Sequence, residues 1–133
     1  MRWLLDTNAW IQILKRPGGK LEQDVLAHAP SKIVLCSIVK AELWHGANKY
    51  ASRERRLEAL ERLFASFVSF PFDDAAARHY ADIRHHLEQS GLVIGPNDLK
   101  IAAVCRDRGL TLVSSNVSEF RRVPGLLIEN WSE

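Results

Sequence analysis

Apolar residues along this chain change spacing repeatedly, and each change marks an element. Trp3-Leu4-Leu5 is a short continuous apolar run, the pattern of a strand buried on both faces. It stops at Asp6, after which Ala9, Trp10, Ile13 and Leu14 recur at helical spacing. Arg16-Pro17-Gly18-Gly19 breaks that helix. Leu21, Val25 and Leu26 phase a second helix over residues 20–29, which Pro30 is expected to close. Residues 31–36 hold a second strand, and Ser37 is placed to cap a helix carrying Ile38, Ala41, Leu43 and Trp44 to about Asn48. Ser52 is placed to cap another, with Leu57, Leu60, Phe64 and Phe67 as its apolar stripe. Residues 68–72 read as a third strand, and Pro71 assigns it to the edge of a sheet. Asp73 or Asp74 caps the next helix, striped by Ala76, Tyr80, Ile83 and Leu87 and stopped by Gly91. Past the connector 92–95, Pro96 opens a helix that is apolar almost all round over 99–105 and ends at Gly109. Residues 110–114 form a strand, 115–123 a polar loop or short turn, and 126–129 a last strand.

Strands alternating with helices predict a mostly parallel sheet of four or five strands, covered on both faces through right-handed crossovers. The expectation is one three-layer α/β/α domain over residues 1–133, a length able to bury a full core. Hydrophobic and charged fractions of 47% and 26% fit a soluble globular protein. No apolar run approaches the ~20 residues a bilayer needs. Trp3-Leu4-Leu5 is too short for the apolar core of a signal peptide, so a cytoplasmic location is expected. Cys36 and Cys105 lie inside apolar segments and read as small buried hydrophobes. A net charge of +2 does not announce a nucleic-acid binder. It leaves room for acids gathered in one cleft with arginines around it.

The positions that follow strands carry the candidate chemistry, because ligands in open α/β sheets bind at the carboxyl edge. Asp6 ends the first strand. Glu42 lies in the early turns of the helix after the second. Asp98 falls in the first turn of the helix opened by Pro96, and Glu119 just after the fourth strand. Like charges in one cleft hold each other's pKa values up. Hard cations such as Mg²⁺ or Mn²⁺, with oxygen ligands, relieve that repulsion. Two such ions ~3.5–4 Å apart activate a water and hold both oxygens of an in-line phosphate displacement. Taken singly, Asp6 is equally an N-cap, Asp98 a complement to a helix dipole worth ~0.3–1 kcal/mol, and Glu119 a loop acid. Glu42, between Ala41 and Leu43, is harder to read as part of a solvated face. Only the conjunction of the four points to a metal site.

Several stretches together resemble a known family. They are Leu4-Leu5-Asp6-Thr7-Asn8, Ser37-Ile38-Val39-Lys40-Ala41-Glu42-Leu43 with Gly46-Ala47, and Ile94-Gly95-Pro96-Asn97-Asp98-Leu99 with Ile101-Ala102-Ala103. Leu112-Val113-Ser114-Ser115-Asn116 with Glu119-Phe120 follows, then Val123-Pro124-Gly125-Leu126 and Glu129-Asn130-Trp131. The set, in this order, resembles a PIN domain, and within that family a VapC-type toxin of a toxin–antitoxin pair. The resemblance implies a metal-dependent endoribonuclease with an α/β/α fold. Asp6, Glu42 and Asp98 match the family's acidic metal ligands. Many members carry Asp where Asn116 stands here, so Glu119 is the nearest fourth acid. Thr7, Ser114 and Asn116 match small polar residues that orient the acids, Ser114 replacing a more usual Thr. A metal-activated water would leave 5′-phosphate and 3′-hydroxyl ends, with transfer RNA the leading substrate. The resemblance also implies a homodimer silenced by a VapB-type antitoxin, which alone binds operator DNA.

Two other classes compete. In a non-catalytic binding module the acids are only caps. A metal-independent ribonuclease would use histidines as acid and base. None of His28, His45, His79, His85 and His86 is paired at i, i+4, and His85-His86 adjoins a charged face. Arg121 and Arg122, next to the fourth acid, are candidates for RNA phosphate contact. Trp10 and Trp44 lie close to candidate ligands; packing is their default role, and base stacking requires exposure.

Overall fold

The computed structural model describes residues 1–132. In order, the elements are β1 (Trp3–Leu5), α1 (Thr7–Lys15), α2 (Lys20–Leu26), β2 (Ile33–Cys36), α3 (Ser37–Ala47), α4 (Arg53–Phe64) and β3 (Val68–Phe70). They continue with α5 (Asp74–Ser90), α6 (Pro96–Arg108), β4 (Thr111–Val113), α7 (Val117–Phe120) and β5 (Leu127–Glu129). The five strands form one sheet in the order β3-β2-β1-β4-β5. Every pairing is parallel, with Leu4 beside Val34 and Leu112, and Leu5 beside Val113. The chain steps outward from β1 through β2 to β3, then returns across β1 to β4 and β5. Right-handed crossovers in opposite directions put their helices on opposite faces, which gives the expected α/β/α architecture.

Parallel strands covered on both faces should be apolar throughout. Leu4, Leu5, Ile33, Val34, Leu35, Cys36 and Leu112 are accordingly without solvent exposure. The apolar centre of α6 is equally buried, and α6 packs along α5. Gly91 and Gly109 end these two helices at φ 68° and 64°, a left-handed conformation that glycine adopts without a Cβ penalty. Cys36 and Cys105 are both free and buried, and loss of hydration pushes both thiols up, Cys105 well above the ordinary range.

Several expected details are corrected. Cys36, not Ser37, occupies the cap position of α3, and no side chain bonds there; Ser37 is already helical. Ser52 caps α4 in position only, its hydroxyl accepting instead from Arg56 Nε at 3.2 Å. Helix α2 ends at Leu26, short of the expected 29, and Pro30 opens a single 3₁₀ turn, Pro30–Lys32. Helix α4 stops at Phe64, so Phe67 packs onto the core from the following turn, its ring against Trp10. Strand β3 is an edge strand, as Pro71 suggested, but ends before that proline. The stretch after β4 is not wholly loop, since it contains α7.

Candidate active site

The strand order reverses at β1, so the crevice at its carboxyl end is the switch point where doubly wound sheets bind ligands. Asp6 stands there. Its backbone N–H donates to Val113 O at 3.0 Å, extending the β1–β4 ladder by one residue. Its side chain caps α1, accepting from Ala9 N at 2.9 Å through Oδ1, while Oδ2 accepts from Ser114 Oγ at 2.6 Å. Ser114 follows β4 directly, so parallel register places the two residues side by side. Asp6 is therefore both the N-cap and the buried acid, 4% exposed, and the two roles that compete in the sequence coexist.

Each other acid reaches the same edge on a different element, and Glu42 and Glu119 are held there by neutral donors. Glu42, on α3, accepts from Thr7 Oγ1 at 2.5 Å and from Asn97 Nδ2 at 3.3 Å. Glu119, on α7, accepts from Asn116 Nδ2 at 2.9 Å. The Asn116 backbone N–H in turn donates to Ser114 Oγ at 2.9 Å. Asp98 sits in the first turn of α6 behind Pro96. Its carboxyl is pushed up to about 6, first by burial and then by the charges of Asp6, Glu42 and Glu119. Burial likewise pushes Asp6 up, opposed by its bonds to Ser114 and Ala9 and reinforced by Glu42.

The acids open onto a cleft of about 400 Å³ whose wall includes Asp6, Thr7, Glu42 and Asp98. Glu119 stands beyond that wall and acts on Asp98 through its charge. Among the described residues, no three His, Cys, Asp or Glu side chains converge closely enough to hold one metal ion as they stand. Hydroxyl, amide and backbone N–H donors take up the oxygens of three of the four acids. The chemistry of the donor set still fits a hard divalent cation, being carboxylate oxygens in a half-buried, electrostatically crowded crevice.

The remaining candidates divide. Arg121 is exposed at the end of α7, and Arg122 donates to Val93 O at 3.3 Å; neither lines the cleft. Trp10 is 1% exposed and available only for packing, whereas Trp44 is 38% exposed, edge-on to Phe64. Of the five histidines only His45 borders the cleft. His79 accepts from Arg106 Nε at 2.9 Å, and His28 stacks on Trp131 with ring centres 4.9 Å apart. Of the cleft-wall residues, Asn97 enters the sequence argument only within a family stretch, His45 only as an acid–base candidate, and Lys49 not at all. The last two stand three and seven residues after Glu42, a helical spacing that would have found them.

Comparison with known proteins agrees with this geometry. The PIN domain family model matches residues 3–126. The chain belongs to the PIN-domain family. It is 34% identical over 134 residues to Ribonuclease VapC2 of Rickettsia felis, with all of both chains covered. It is 37% identical over 133 residues to the tRNA(fMet)-specific endonuclease VapC of Shigella flexneri, covering 99% of each. Among solved structures, a chain of VapBC2 from Rickettsia felis bound to a DNA fragment from their promoter superimposes with a TM-score of 0.92. That match has 32% identity and covers 99% of this chain and 100% of the other. A chain of DNA-bound VapBC from Salmonella typhimurium matches at 0.92 and 34%, covering 98% of each. Within the family, the chain falls in the VapC branch of toxin–antitoxin proteins. Among the described residues, no helix is long and apolar enough to cross a membrane.

Proposed function

We propose that this chain is the toxin of a type II toxin–antitoxin pair and acts as a Mg²⁺- or Mn²⁺-dependent endoribonuclease in the cytoplasm. One observation carries the chemistry: Asp6, Glu42 and Asp98, from three separate elements, line the switch-point crevice, and burial together with the charges of Asp6, Glu42 and nearby Glu119 pushes Asp98 up to about 6. Helix capping alone gives no reason to assemble them. Asp6, Glu42 and Asp98 would hold the metal from the cleft wall, with Glu119 completing the set from α7. A divalent cation bound there would supply positive charge to the cluster and make water nucleophilic at neutral pH.

The chain's own part is to fix the oxygens. Ser114 and the Ala9 N–H hold Asp6 from both sides, Thr7 and Asn97 hold Glu42, and Asn116 holds Glu119. Neutral donors orient the acids without consuming their charge, which keeps the cluster available to a cation. Hydrolysis in this arrangement leaves 5′-phosphate and 3′-hydroxyl ends. Transfer RNA is the substrate favoured by the names of the Shigella flexneri and Salmonella typhimurium relatives. The VapBC complexes bound to DNA support a VapB-type antitoxin partner; the toxin homodimer and the contact with operator DNA through the antitoxin are part of the same proposal.

The test is cleavage of bacterial RNA by protein freed of antitoxin, with Mg²⁺, with Mn²⁺ and with chelator, beside Asp6→Asn. Discrete metal-dependent fragments bearing 5′-phosphates, absent with Asp6→Asn, are expected. Cutting that survives both chelator and substitution would sink the metal-dependent reading.

A further inference from the structure

We infer that Lys49, with His45 beside it, is the phosphate-holding wall of the cleft and grips the RNA backbone one nucleotide or more from the bond that breaks. The inference rests on the ribonuclease reading and names how the same site positions its substrate. The catalytic acids repel a polyanion, so a cleft that admits RNA needs cations placed beside the acids without being neutralised by them. Arg121 and Arg122 do not line it. His45 does, on the face of α3 that carries Glu42, and so does Lys49, in the turn two residues past the end of that helix.

The charge of Lys49 is not spent elsewhere. Among the described residues it takes part in no side-chain hydrogen bond and no ion pair. Neighbouring cations are committed: Arg53 donates to Asn48 Oδ1 at 2.7 Å and pairs with Glu54, while Lys40 lies over the Phe64 ring. His45 is exposed and offers a ring N–H donor in either protonation state. At ~1.5 Å per residue, His45 stands ~4.5 Å along α3 from Glu42, and Lys49 lies farther on, in the turn that follows the helix. A stacked strand advances ~3.4 Å per nucleotide, so His45 stands about one phosphate from Glu42 and Lys49 farther along the same track.

The surface between them is low. Gly46 lies on the cleft wall, and a Cβ built on it would meet nothing within 4 Å. Glycine inside a helix is less favourable than alanine, and no packing among the described residues calls for it here. The open space lets a sugar–phosphate chain lie close to α3 between Glu42 and Lys49.

The test follows cleavage of bulk transfer RNA with Mg²⁺ over a series of KCl concentrations. For Lys49→Ala we expect KM to rise about tenfold with kcat held within about twofold. The slope of log(kcat/KM) against log[KCl] should flatten by about 0.7–1, the share of one phosphate contact. Lys49→Arg should restore both. Lys32→Ala, in the turn before β2 at the opposite edge of the sheet, is the control and should change neither. An unchanged KM and slope for Lys49→Ala, in protein whose cleavage still depends on Asp6, would overturn the inference and leave the nuclease reading standing. If the wild-type protein cuts nothing, the nuclease reading fails, and anisotropy of a fluorescein-labelled single-stranded RNA decides. A salt slope that depends on Lys49 upholds the phosphate wall; equal affinity in wild type and Lys49→Ala removes it.

Discussion

Two aspartates in this chain do the same local job and end in opposite states. Asp6 and Asp73 each precede a helix in extended conformation, and each accepts from the N–H three residues on, at 2.9 and 3.0 Å. Asp73 is met from across the fold by a cation, Arg108 Nη2 at 3.2 Å. The capping bond to Ala76, helped by that charge, holds its carboxyl below the ordinary value. Asp6 is met by a hydroxyl, from Ser114, and by the charge of Glu42; burial leads the causes that hold it above the ordinary value. A cap is thus a neutral fact about the backbone, and its chemical meaning is set by what the topology brings to it. At the α5–α6 end of the molecule charge is cancelled; at the switch point it is accumulated.

Making the same substitution at both caps breaks the comparison most sharply. Asp6→Asn should lower cleavage by at least about 100-fold, because even groups that only orient a metal ligand cost ~10–100-fold when removed. Asp73→Asn should leave cleavage per folded molecule unchanged. Steady-state rates on a common RNA, normalised to folded protein, check both.

Ser114→Ala asks how much of the difference lies in the hydroxyl. It deprives a buried carboxylate of one partner, so stability should fall by about 1–3 kcal/mol and activity by ~10–100-fold. Urea denaturation and the cleavage assay measure the two effects separately.

Acid should separate the regions by sign. The Asp98 carboxyl has risen from 3.8 to about 6, so between those values the folded state binds more protons than the unfolded one. Metal-free stability from this group therefore declines as pH rises from about 4 to about 6 and stays low above that. Asp98→Asn should then raise the Tm of metal-free protein by a few degrees at pH 8 and by little at pH 4, while abolishing cleavage. A loss of Tm at pH 8 would make Asp98 a structural residue. Asp73, with its lowered carboxyl, acts oppositely: its contribution is present at neutral pH and fades as pH falls through its folded value.

Much of this was legible in the chain because it is written in short-range terms. Buried parallel strands show as unbroken apolar runs, and Gly91, Gly109 and Pro96 punctuate α5 and α6 where the structure ends or begins them. The four acids were visible as residues that follow strands. Which donor meets which acid was not visible for Asp6 and Glu42, because those hydrogen bonds span the sequence: Ser114 to Asp6 over 108 positions, Asn97 to Glu42 over 55, Thr7 to Glu42 over 35. The cap at Ser37 failed for a local reason. The backbone turns helical one residue early, so Ser37 is the first helical residue and the cap position falls to Cys36. Trp10 and Trp44 lie on α1 and α3 near the same acids, and only packing tells them apart, one sealed against Phe67 and the other left at the surface.

The two buried thiols have a practical consequence for watching this molecule open. Cys36 and Cys105 are free, without solvent exposure and held in the unreactive thiol form. In the native state a cysteine placed on the surface is therefore the one a maleimide or thiosulfonate reagent finds first. Slower uptake at the native pair then becomes a clock for unfolding, and one mass spectrum carries both the intended label and the fraction of chains that came apart to receive more.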